Sequence, residues 1–211
     1  KNGANLLDEH IFQFDFLNDD FSKLPIPLKE IINNPEKRKK LVVYINPPYA
    51  EVGSKGEKEN KTGVSKTKVY EKYKNQLGKA SNELFAQFLI RIYIEIPSCI
   101  IANFSTLKNL QSPNFSNLRS NFRAKLEKLF LVPADTFDNV KGSFPIGFFI
   151  WNTNIQEIFI KIIADVYTNT GYYLEKTVYN GGIPISDWIF EKLDEKNKIG
   201  HLSCRGGNDF Q

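Results

Sequence analysis

Five apolar or aromatic residues, Leu41 to Ile45, run directly into Asn46-Pro47-Pro48-Tyr49, and this junction constrains the fold more than any other part of the chain. Two consecutive prolines fix two φ angles and remove two backbone donors, so a strand has to stop there. Pro47 also pushes Asn46 toward extended backbone, which makes the turn stiff and rich in acceptors. A short apolar strand ending in a rigid polar turn is what the carboxyl edge of a parallel sheet offers a ligand.

The surrounding pattern predicts how that sheet is built. Ile11 to Phe16 reads as another short buried strand, stopping at Asp19 and Asp20. Ser81 to Ile96 reads as a helix, with N-cap residue types at Ser81 and Asn82 and Leu84, Phe85, Phe88, Leu89 and Ile92 at helical spacing. A strand at Cys99 to Phe104 follows. Arg119 to Phe130 reads as a second helix with Phe122, Leu126 and Leu129 on one face, and Phe144 to Trp151 as a central strand. Ile158 to Thr168 and Tyr172 to Tyr179 flank Asn169-Thr170-Gly171 as a hairpin. Strand, helix, strand, helix, strand predicts an α/β fold: a mostly parallel sheet, helices on both faces, and an antiparallel hairpin toward the C-terminus. We expect a catalytic core over 1–151 and a C-terminal extension over 152–211, either the end of that core or the start of a target-recognition region. Gly53 to Lys79 resists assignment.

A chain of 211 residues, 41% hydrophobic and 13% aromatic, is long enough to bury one sizeable core. Neither a run of about 18 apolar residues nor a signal-peptide layout is present, which predicts a cytoplasmic protein with no membrane partner. Cys99, Cys204, His10 and His201 are too few and too scattered for a disulfide framework or a zinc cluster, so no metal is expected. The net charge of +4 suits a polyanionic partner without requiring one. In the unassigned segment eight lysines face only Glu57, Glu59 and Glu71. Lys55, Lys58, Lys61, Lys66 and Lys68 are candidate contacts to DNA phosphates; a solvated loop is the other reading. The chain has no methionine and begins at Lys1, so we expect a piece of a longer reading frame.

The turn at Asn46 fits one demanding reaction. The nitrogen of an aromatic amine has its lone pair delocalised into the ring, and acceptors on the amine hydrogens can turn it into a nucleophile. The Asn46 side-chain carbonyl and the Pro47 backbone carbonyl can take one hydrogen each and stabilise the positive charge that develops on attack. Tyr49 offers a ring on which a base can stack.

At these residues the sequence resembles the N6-adenine-specific DNA methyltransferases, whose hallmark is an Asn/Asp-Pro-Pro-Tyr/Phe loop after the fourth strand of a seven-stranded sheet. The resemblance implies an incomplete Rossmann-like fold, S-adenosylmethionine as cofactor, double-stranded DNA as substrate, and a restriction or specificity subunit or domain as a possible partner. Asn46 and Pro47 would hold the target amine, Pro48 would shape the turn and Tyr49 would stack on the base. Phe12 to Leu17 is similar to the family's third motif, which makes Asp15 and Phe16 cofactor-side candidates, with Asn46 also on that side. Phe144 to Phe149 is similar to a late motif bordering the target-base pocket, with Phe144 the candidate contact. The family's glycine-rich turn and second-strand acid are missing. In its sheet the first two strands lie between the third and fourth, so we expect a longer N-terminal region to carry that turn, and this chain alone to bind cofactor weakly. Release-factor glutamine methyltransferases share the loop, and a catalytically inactive DNA-binding fragment is the third reading.

Overall fold

The computed structural model describes residues 10–47, 66–137, 144–168 and 170–182. Within them the chain forms α1 (Ile26–Asn33), α2 (Pro35–Arg38), β1 (Val42–Ile45), α3 (Lys68–Leu77), α4 (Leu84–Glu95), β2 (Ile100–Thr106), α5 (Lys108–Gln111), α6 (Ser116–Asn121), β3 (Ala124–Pro133), β4 (Pro145–Gln156), β5 (Lys161–Thr168) and β6 (Gly171–Tyr179). The six strands make one open sheet in the order β1-β2-β4-β3-β5-β6. Four strands, β1, β2, β3 and β5, point one way, and β4 and β6 run against them. This is the expected mostly parallel, incomplete Rossmann-like α/β arrangement with its C-terminal hairpin.

Parallel neighbours need crossovers, and the one from β1 to β2 carries α3 and α4. Thr67 caps α3 by accepting from the Tyr70 N–H at 2.9 Å, Val69, Tyr73 and Leu77 repeat every fourth residue on its buried face, and Gly78 at φ +56° ends it. α4 is buried nearly all round, through Phe85, Ala86, Leu89, Ile90 and Ile92 together with Gln87 and Arg91. The buried Gln87 amide is satisfied, donating to the Ser81 carbonyl and accepting from the Thr67 hydroxyl.

Strand residues alternate between two faces. Ile101, Phe149, Trp151, Leu129, Leu131, Ala164, Val166 and Val178 share one buried cluster with helical residues such as Leu77, Phe85, Leu89 and Leu118. On the opposite face Tyr44, Phe104, Phe148, Phe130, Tyr167 and Tyr172 touch ring to ring across the whole sheet, with neighbouring centroids 4.8 to 6.2 Å apart. The described helices bury their apolar residues with the first face.

Two expectations need correcting, and part of the unassigned stretch takes a definite form. Ile11 to Phe16 is not a strand: residues 11–15 are irregular and Phe16 opens a turn. Its rings gather on α4 instead, where Phe16 stacks on Phe88 at 4.9 Å and the Arg91 guanidinium lies over Phe16 and Phe21. Arg119 to Phe130 is not one helix: α6 stops at Asn121 and β3 begins at Ala124. A register shift between Leu126 and Lys128 puts Leu126 and Leu129 on the same side of β3, three residues apart, which imitates helical spacing. Within Gly53 to Lys79, the stretch from Lys68 onward is helical, and 53–65 lies outside the described residues. β4 runs on through Trp151 to Gln156, and 152–182 adds β5 and β6 to the same sheet.

Candidate active site

β1 and β2 lie side by side with Ile45 opposite Asn103. Asn46 therefore leaves the sheet at the carboxyl ends of both strands, where β4 begins: Phe104 faces Phe148 and Thr106 faces Ile146. Asn46 is exposed and Pro47 is buried. The proline anchors the turn in the protein while the asparagine side chain stays within reach of solvent. A buried Asn46 would have excluded contact with any substrate.

The floor below this turn is aromatic. Tyr44 lies 6.2 Å from Phe148, and Phe104 meets Phe148 at 4.8 Å and Phe137 at 5.3 Å. Phe144 is half-buried at the same edge, where Pro133 faces Pro145 and the Phe144 carbonyl accepts from the Ala134 N–H at 3.0 Å. Lys66 and Lys68 are exposed at the start of α3. Pro48, Tyr49, Lys55, Lys58 and Lys61 lie outside the described residues.

Asp15 and Phe16 sit against the helical layer and not in the sheet. The Asp15 carboxylate accepts from the backbone N–H groups of Leu17 and Asn18 at 3.0 and 3.2 Å and from the Asn18 amide at 2.8 Å, closing its own turn. Arg91 fastens the segment by donating to the carbonyls of Phe16 and Asp19 and to Glu95. Burial pulls Glu95 upward, but hydrogen bonds from Lys72, Tyr73 and Arg91 outweigh it and hold the carboxyl below its ordinary value of 4.5.

Three groups at the carboxyl edge escaped the sequence reading. The Thr106 hydroxyl is buried without a hydrogen-bond partner at the end of β2. Two residues on, the Lys108 ammonium donates to Glu83, the residue just before α4, at 3.3 Å. Burial pushes Glu83 up and Lys108 down, so at this distance desolvation outweighs their mutual attraction. A Thr-x-Lys at the end of an apolar strand was the available signal. Among the described residues no group of three His, Cys, Asp or Glu could hold a metal ion, and no helix is long and apolar enough to cross a membrane.

No protein-family model and no curated protein matches the chain. Among solved structures it is similar to a chain of the DrdV–DNA complex solved by cryoEM, with 14% identity and a TM-score of 0.45, over 75% of this chain and 19% of that one. It is also similar to a modification subunit of a type I restriction enzyme from Vibrio vulnificus, with 15% identity and a TM-score of 0.38, over 63% of this chain and 28% of that one. The chain thus spans less than a third of either protein.

Proposed function

We propose that Asn46-Pro47-Pro48-Tyr49 is the amine-holding turn of an S-adenosylmethionine-dependent methyltransferase whose substrate is the N6 amine of an adenine flipped out of double-stranded DNA. The observation that carries this reading is an exposed Asn46 on a buried Pro47 at the carboxyl ends of two parallel strands. There the Asn46 side-chain carbonyl accepts one amine hydrogen and the Pro47 carbonyl the other, drawing the nitrogen toward tetrahedral geometry. Tyr49 stacks on the base, a contact worth about 1–3 kcal/mol against the few kcal/mol that extrusion costs. The lysines that follow neutralise phosphates and add affinity that falls with salt.

The cofactor side is different. The sequence contains no two glycines two positions apart, and the Asp15 carboxylate is already engaged within its own turn. These residues do not compose a cradle for the cofactor, and on this reading the chain's own part is to hold the amine. Calorimetry on the 211-residue chain should find no micromolar binding of S-adenosylmethionine, and micromolar binding would overturn that reading.

The turn is tested by methyl incorporation from labelled S-adenosylmethionine, in a methylation-competent form of the protein, into duplex DNA and into a glutamine-bearing release factor. Asn46→Ala should lower turnover on DNA about a hundredfold or more, with little change in DNA affinity. Incorporation into the release factor alone would reassign the substrate to a glutamine amide. DNA binding without transfer to any adenine-containing duplex would leave a binding module.

A further inference from the structure

A mostly parallel sheet is ordinarily covered on both faces, and here the described helices cover one. On the other, where β3, β5 and β6 lie together, Ile163 is 63% exposed, and Tyr167 and Tyr172 stand out beside half-buried Phe130. Large apolar side chains gathered in one exposed patch mark a surface that meets a partner, which scattered ones do not.

The charges in the patch narrow the partner's chemistry. Asp165 lies in register with Phe130 across β3 and β5 and with Glu175 across β5 and β6, so both carboxylates stand on the ring-bearing face. Like charges directly opposite each other in a ladder repel and cost stability. Both acids are exposed, and among the described residues neither has an ion-pair partner. Desolvation, and then the fields of Glu175 and Asp165, push the Tyr172 phenol above its ordinary value of 10, so ring and carboxylates share one neighbourhood. A negative corner walled by aromatic rings suits a guanidinium, which pairs with carboxylates and lies on ring faces at once. The same acids repel the phosphates of a nucleic acid. Lys128 and Lys161 stand on this face too, nearer the amino ends of β3 and β5.

We propose that this patch is the docking surface for an amphipathic α-helix of a partner protein, with an apolar stripe lying on Ile163, Tyr167 and Tyr172 and an arginine pairing with Asp165 and Glu175. A helix fits because its width of about 10 Å spans roughly two strands, and because its backbone is satisfied internally while a sheet face offers no backbone partners. From Asp165 to Lys161 the strand rises about 13 Å, so the complementary acidic residue on the helix sits about two turns from its arginine.

Fluorescence anisotropy on the whole chain with two labelled peptides decides it. Both peptides are about 20 residues long, enough to populate an isolated helix, and share one leucine stripe. One carries arginine with glutamate two turns away, and the other carries glutamate at both positions. The arginine peptide should bind saturably and about tenfold or more tighter than its all-acidic counterpart. Asp165→Lys combined with Glu175→Lys should reverse that order, and Ile163→Ser should weaken the arginine peptide about tenfold. Equal affinity for the two peptides, no saturable binding below roughly 100 μM, or affinity indifferent to these substitutions would overturn the proposal. A dimer of the unaltered chain in sedimentation, dissociated by Ile163→Ser, would also overturn it and give the face to a second copy. The peptide pair on the unaltered chain carries the decision even where a variant fails to fold, and no outcome bears on methyl transfer at the Asn46 turn.

Discussion

The two faces of the sheet bury their residues by different means. On one, Phe149, Ile101 and Ala164 are fully buried beneath a helical layer. On the other, Tyr44 stays 63% exposed and Tyr172 58%, and shelter comes from rings lying against rings along the row from Tyr44 to Tyr172. A covered face gains from every methylene removed from water, at about 25 cal/mol per Å². A ring row gains mainly at its contacts, about 0.5–1.5 kcal/mol per pair beyond area burial. Helix-covered residues should therefore dominate the stability of the sheet, while the aromatic row stays partly open to solvent.

Substitutions on the two faces test this contrast. Phe149→Ala removes a ring with no exposure, packed 5.7 Å from Trp151, and should cost about 3–5 kcal/mol in urea unfolding. A cost near that of a surface change would break the contrast. Phe148→Ala, the neighbouring residue on the other face, loses contacts to Tyr44, Phe104 and Phe130 but is only part-buried, and should cost about 1–3 kcal/mol. Acid offers a milder lever on the helical layer alone. Glu95 has a lowered pKa in the folded protein, so its bonds to Lys72, Tyr73 and Arg91 stabilise fully above its ordinary value of 4.5 and are lost as pH falls through the lowered one. Urea midpoints should drop across that acid range in the native chain and show a shallower drop in Glu95→Gln; equal slopes would remove Glu95 from the account. Least of all, Tyr44→Ser should change stability by no more than about 0.5 kcal/mol.

What could be read in advance followed from local rules strong enough to override context. Two prolines stop a strand wherever it lies, so the end of β1 and the exposed Asn46 were legible, and the Thr168 to Gly171 connection announced its hairpin. α3 could have been found, because Thr67, the four-residue spacing of Val69, Tyr73 and Leu77, and Gly78 state a capped helix; the surrounding lysines masked it. β3 was misread because its bulge converts a period of two into a step of three. Ile11 to Phe16 has the composition of a strand but pairs with no strand, and that depends on tertiary neighbours no window reveals. The Glu83–Lys108 pair joins groups 25 residues apart and is equally invisible to local pattern.

The Arg91 clamp also bears on the order in which the chain assembles. Its bonds to the Phe16 and Asp19 carbonyls close loops of 75 and 72 residues, far longer than the spans that join α3 to α4. Loop closure of that length comes late when nearer contacts can form first. The N-terminal aromatic segment should thus dock onto a helical layer already in place, and be the first part to open when the protein loosens.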